Sequence, residues 1–296
     1  MSKRLVGATA FFLGIVLFAT AGRINAHELR IETVNAWDAY IQGANLRIQE
    51  RLNGEKPFLW IDESAERRQR IVRGEILVAP VIAYGIQGVP NGIIHHWIGG
   101  IFIPGATIDS LSAIALDYSR YKDFYSPVVV ESKLLACTAT GQRFSMLWHR
   151  KVLFEDVAMQ VEYAAHEVRI DSHRGYNVAD TVQLQEIENY GRSNQRLLPP
   201  DTGNGFIWRL HSIARYEQRD GGVYLELEAV ALTREIPSSL RWLVSRVANR
   251  LSRNSLTTSL RQTRDAVTSM SADEDSVANR KSSGQRQCQV SSNSSR

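Results

Sequence analysis

A chain of 296 residues with 44% hydrophobic and 22% charged side chains carries enough apolar surface for a folded core, which excludes wholesale disorder. Its length is near the upper end for one compact domain, so removing a leader and a tail leaves one ordinary core. The net charge of +4 permits contact with an anionic membrane, but no helix-turn-helix, zinc-finger or RNA-binding signature accompanies it, and nucleic acid is not an expected partner.

Residues 1–26 have the three parts of a secretory signal: Lys3 and Arg4, an uncharged apolar run from Leu5 to Phe18, then small residues. Cleavage is expected after Ala21, giving a signal over 1–21, with 1–26 as the alternative. An uncleaved anchor competes with both, because about 17 apolar residues just suffice to span a bilayer. The expected location is periplasmic or secreted. Such a compartment permits a disulfide between Cys137 and Cys288, the two cysteines of the chain. Cys137, however, ends an apolar run and Cys288 sits among Ser, Asn, Gln and Arg. The expectation is a buried free thiol at Cys137 and a disordered polar tail over 268–296, which lacks the apolar surface to offset ordering.

Residues 22–92 read as a helical extension and a lead-in strand. Val34, Trp37, Ile41, Ala44, Ile48 and Leu52 recur at spacings of three and four, predicting an amphipathic helix docked on the domain. A short charged helix is expected at 63–73. No charged side chain lies between Glu75 and Asp109, but Pro80, Pro90 and Pro104 break any membrane helix there and leave buried strands as the reading.

From Gly74 the period changes to two, with strands expected at 75–81, 93–103, 127–137, 142–154, 157–170, 176–188, 205–219 and 222–233. Thr107 offers a helix N-cap before Ile108, Leu111, Ile114, Ala115 and Tyr118. Turn residues such as Thr140-Gly141 and Asp220-Gly221-Gly222 join the strands as antiparallel neighbours. The polar connection 189–204 is long enough to serve at a cavity mouth. After Pro237, Leu240, Leu243, Val244, Val247 and Leu251 form a helical stripe. A break is expected at Ser252-Arg253-Asn254, before Leu256, Leu260, Thr263 and Val267 resume it.

One strand, a small helical pair, six antiparallel strands and a terminal helix follow in that order. The segments Asn204-Gly205-Phe206-Ile207-Trp208-Arg209-Leu210, Gly221 to Ala229, Leu232-Thr233-Arg234-Glu235-Ile236-Pro237 and Phe102 to Thr107 add local detail. Together they resemble the START-like (SRPBCC) superfamily over residues 93–267. The resemblance implies an α+β helix-grip fold, a curved antiparallel sheet around a C-terminal helix with an apolar cavity between them. It further implies a lipid or other hydrophobic small molecule as the ligand, while the fold itself does not choose one.

Alternation places Trp208, Leu210, Ser212 and Ala214 on one strand face and Arg209, His211 and Ile213 on the other. On the next strand Val223, Leu225, Leu227, Ala229 and Ala231 oppose Tyr224, Glu226 and Glu228. One reading keeps the glutamates outside, paired with arginines such as Arg209; the other turns them into the cavity to anchor a headgroup. The expected ligand-binding set is Trp148, Tyr163, Tyr176, Trp208, Arg209, Tyr224, Glu226 and Glu228. No cofactor is expected, nor a metal, since His166-Glu167 lacks the second histidine of H-E-x-x-H and His95-His96 point to opposite strand faces. No catalytic motif is present. The alternative functions are a cyclase- or hydrolase-type enzyme using Tyr163, His149, Tyr176, Glu226 or Glu228, and an envelope interaction module built on the arginines of the closing helices.

Overall fold

The computed structural model describes residues 27–138, 141–152, 155–235 and 241–277; the expected signal over 1–26 lies outside them. The chain enters as a two-residue strand β1 (His27–Glu28) and continues as helix α1 (Ile31–Leu52), which buries Thr33, Trp37, Ala44 and Ile48 at helical spacing. A 3₁₀ turn (Trp60–Glu63) and helix α2 (Ala65–Val72) follow, the latter capped by Ser64, whose hydroxyl accepts from the Arg67 amide. Strands β2 (Leu77–Pro80), β3 (Ile86–Val89) and β4 (Gly92–Pro104) come next. Thr107 caps helix α3 (Ile108–Ala115) in a reciprocal box with Ser110, and the short α4 (Tyr121–Phe124) completes the helical pair.

Six long strands or near-strands then run antiparallel: β5 (Val129–Thr138), β6 (Gly141–Val152), β7 (Glu155–Arg169) and β8 (Arg174–Glu188), followed after two-residue strands β9 (Arg196–Leu197) and β10 (Thr202–Gly203) by β11 (Arg209–Arg219) and β12 (Gly222–Arg234). Helix α5 (Arg241–Val277) closes the chain. The sheet order is β2-β4-β12-β11-β8-β7-β6-β5, with β3 also on β4 and β9 on β8. The first long strand thus pairs with the last, and the intervening hairpins fan out to β5. With α5 laid across one face, this is an α+β helix-grip fold, extended by α1 and α2 on the other face.

The two faces have separate cores. Leu256, Leu260 and Val267 of α5 pack with Trp97, Ile101, Val223 and Leu225, while Trp37 of α1 packs with Ile94, Trp208, Val230 and Leu232 behind the sheet. Gly99 and Gly100 permit this double cover. A Cβ at Gly99 would stand 2.7 Å from Leu260 Cδ1, and one at Gly100 would stand 3.1 Å from Ile61 Cγ2. Burial of both faces explains why β4 is a largely apolar run, broken by His95 and His96, with almost every residue buried.

Two expectations are corrected. Helix α5 has no break at Ser252–Asn254 and continues to Val277, so residues 268–277 are helical. No Gly or Pro interrupts it, and the hydroxyls of Thr257, Thr263, Thr268 and Ser269 bond back to carbonyls one turn earlier, which satisfies them within the helix. Cys137 is exposed and disulfide-bonded rather than a buried thiol. It stands at the outer end of the edge strand β5, where apolar alternation does not mean burial; Cys288, the other cysteine of the sequence, lies outside the described residues.

Candidate functional site between the sheet and the C-terminal helix

Register fixes which side chains face α5. Leu210, Ser212, Ala214 and Tyr216 of β11 lie opposite Ala231, Ala229, Leu227 and Leu225 of β12, and these continue to His95, Trp97, Gly99 and Ile101 of β4. On the other side Ser212 leads to Ala179, and the row passes through Tyr163 and Met159 to Phe144, Met146 and Trp148 of β6. Along β12 the buried residues are Tyr224, Glu226, Glu228, Val230 and Leu232, which face α1. Leu227, Ala229 and Ala231, which face α5, are only half-buried. Leu210, Ser212 and Ala214 repeat the pattern on β11. The α5 face therefore carries an incompletely covered, mainly apolar strip floored by small side chains, the candidate groove.

One end of this groove is covered by the loop after β8. The buried carboxylate of Glu186 accepts from three consecutive amides, Asn204 at 2.7 Å, Gly205 at 2.8 Å and Phe206 at 3.2 Å. This clamp presents Phe206 and Ile207 to the cluster that holds Trp148, Leu210 and Tyr163. At the opposite end Tyr216 donates to Glu167, whose carboxylate also accepts from Ser112 of α3, and Asn177 donates to the Tyr118 hydroxyl.

Trp148 and Tyr163 are thus brought together on the α5 face, their ring centroids 6.3 Å apart. The other six expected ligand-binding residues are not with them. Trp208 precedes β11, whose regular pairing begins at Arg209, so it does not share the face of Leu210; it is buried under α1 beside Trp37. Tyr176 packs behind the sheet with Ile48, Val178 and Ile213. Arg209 is engaged by Asp201 through both terminal nitrogens, at 2.5 and 3.1 Å. Tyr224 packs against Phe102 under α2, the rings tilted by 39° with centroids 4.6 Å apart.

Glu226 and Glu228 also lie behind the sheet, as the first of the two readings expected, but they are sealed rather than exposed, and their partner is Arg215 instead of Arg209. Arg215 Nη2 donates to Glu228 at 2.9 Å and its Nε to Glu226 at 3.4 Å. The Ile61 amide donates to Glu226 at 2.7 Å, while His96 joins Glu228 at 2.8 Å and Tyr40 of α1 at 2.6 Å. Burial pushes the Glu226 carboxyl up against the pull of Arg215 and the backbone amides. For Glu228, burial acts in the same upward sense but is outweighed by His96 and Arg215, which hold it well below the usual range. This network fastens the N-terminal extension to the sheet.

The residues weighed for catalysis do not converge either. Burial raises the Tyr163 hydroxyl well above its ordinary value, and His149 pairs with Asp156 at 3.2 Å away from the groove. Two polar groups that do border the groove, Arg150 and Glu167, were missed. Their signal was present as charges interrupting otherwise apolar alternation: Phe144, Met146, Trp148, Arg150 on β6 and Tyr163, Ala165, Glu167 on β7.

His95 adds a titration to this face. Its ring is buried, with Nε2 3.1 Å from Thr233 Oγ1 and Nδ1 unpartnered, and burial depresses its pKa from 6.5 to about 4. A depressed histidine stabilises the fold above its unfolded pKa and loses that contribution as pH falls from 6.5 towards 4, by about 3 kcal/mol at 1.36 kcal/mol per unit. Glu226 titrates in the opposite sense, so the His95 contribution is read as a difference. Urea unfolding of wild type and His95→Gln across this range should show the variant losing less stability, and parallel curves would refute the assignment.

No family model and no curated protein matches the chain. Among solved structures it is similar to a STAR-related lipid transfer protein fragment from Xanthomonas axonopodis, at 17% identity and a TM-score of 0.42, covering 65% of this chain and 98% of that one. Human STARD10 gives 8% identity and a TM-score of 0.40 over 67% and 79% of the two chains. The Zhui aromatase/cyclase from Streptomyces sp. R1128 gives 13% and 0.39 over 59% and 94%. Likenesses this distant leave the activity of the chain open; its fold class rests on the strand order and helix placement described above.

Proposed function

We propose that the protein binds a lipid or other largely apolar small molecule in the groove between the sheet and α5. The observation that carries this reading is the inverted burial along β11 and β12, where charged residues behind the sheet are sealed while Leu210, Ala214, Leu227 and Ala229 facing α5 stay half-buried. Apolar, incompletely covered surface lined by aromatic and small side chains is what a hydrophobic ligand fills. Export to a periplasmic or extracellular location belongs to the same proposal and is supported by the composition of residues 1–26. Among the described residues no helix is long and apolar enough to cross a membrane.

A groove of about 550 Å³ on the outside of the molecule, bordered by Val72, Phe102, Arg264 and Asp265, is a weaker candidate. Arg264 is committed there to the Gly74 carbonyl at 3.1 Å, and the groove lies outside the sheet–helix grip. The decisive measurement is native mass spectrometry of detergent-free protein followed by solvent extraction, with uptake of a fluorescent fatty acid as a second readout. A bound apolar molecule, displaced when Ala229→Trp fills the groove, is expected. Ligand-free protein that takes up no probe would overturn the reading.

A further inference from the structure

Resting on that reading, we infer that the ligand is an anionic amphiphile, with a carboxylate or phosphate monoester headgroup held by Arg150 and Trp148. Both residues lie on the α5 face of β6, two positions apart and so about 7 Å along the strand. The Trp148 indole N–H is buried and has no hydrogen-bond partner. Arg150 is half-buried at the hairpin end of β6, and its Nη1 donates to Ser255 Oγ of α5 at 2.5 Å. Among the described residues no carboxylate pairs with it. Asp156, one of the two acids of this hairpin, is taken by His149, and the residue directly opposite Arg150 is Val157.

A half-buried guanidinium with no anion among the described residues, beside a buried donor with no acceptor among them, is an incomplete arrangement. A buried charge is stable when paired, and a buried N–H costs free energy when unmatched. The fork of Arg150 has donors left after Ser255, in the geometry that receives a planar carboxylate or the oxygens of a phosphate. From this point Met146, Met159, Tyr163 and Leu210 lead inward as apolar wall for the chain of the amphiphile. Headgroup at the hairpin end and chain along the sheet is therefore the bound orientation.

The test compares four probes with one oleyl chain, namely oleate, oleyl phosphate, oleyl alcohol and oleylamine, by isothermal titration to the wild-type protein. The two anions are expected to bind at least about tenfold more tightly than the alcohol, with the amine weakest. Arg150→Met should bring the anions close to the affinity of the alcohol, Arg150→Lys should restore part of the difference, and Trp148→Phe should weaken the anions more than the alcohol. Millimolar acetate or inorganic phosphate should not displace oleate. Equal binding of oleate and oleyl alcohol by wild type would overturn the headgroup inference while leaving the groove intact, and it decides the matter even if a variant fails to fold. Displacement by inorganic phosphate would replace the amphiphile with a free anion. Failure of all four probes would remove the hydrophobic-ligand reading itself.

Discussion

Replacing Arg215 with methionine is expected to lower stability by about 3–5 kcal/mol, the cost of leaving buried carboxylates without their counter-charge. Arg215 is 1% exposed and sits between Glu226, fully buried, and Glu228, 6% exposed, so water does not compensate either acid. The stem of methionine keeps most of the packing, which makes the loss electrostatic. Without the guanidinium the two carboxyls take up protons more readily, so the gap between variant and wild type should narrow as pH falls towards 4. The triple variant Arg215→Met, Glu226→Gln, Glu228→Gln should recover part of the deficit. Chemical denaturation of the three proteins across pH measures all of this. A deficit below about 1 kcal/mol, the range of exposed ion pairs, would mean that the network is far better hydrated than its burial implies.

Trp208→Ala is expected to cost a similar amount, about 3–5 kcal/mol, by opening a cavity where an aromatic core residue stood. The indole is 3% exposed and wedged among Trp37, Ile94, Val230 and Leu232, with Gly205 leaving room for its ring. Its position behind the sheet separates stability from binding. Ligand affinity per folded molecule should be unchanged, although the chain melts earlier and α1 loosens. Paired thermal melts and titrations check the prediction, and a variant that folds normally yet loses ligand would place the indole in the groove after all.

The order of elements was legible because each long strand alternates cleanly and is bounded by turn residues, and because the stripe of α1 has helical period. Side-chain direction was harder. Alternation separates two faces without naming the inner one, and here both are covered, so the apolar and the charged face of β12 are each buried. The glutamates can be sealed only because Arg215, His96 and the Ile61 amide reach them, from parts of the chain that sequence pattern does not connect. Trp208 was misplaced for a local reason: the irregular backbone before Arg209 resets the alternation. The same blindness to edges misassigned Cys137, since an apolar strand reads alike at the centre and the rim of a sheet. Arg150 was visible as a lone charge on an apolar face, but only its bond to Ser255 shows that it meets α5.

Pairing the first long strand with the last shapes how the chain must fold. His96 and Glu228, joined across β4 and β12, are separated by 132 residues, so closure of the sheet is among the most non-local steps available to this sequence. The entropy of closing so long a loop is met before the contacts repay it, and high contact order makes such steps slow. During synthesis from the N-terminus, Ile93 to Ile103 would emerge long before β12 exists, with only the short β2 and β3 to pair with. The most apolar strand of the molecule is thus the one that waits longest for its principal neighbour, which makes the nascent chain, rather than the finished domain, the form most prone to aggregate.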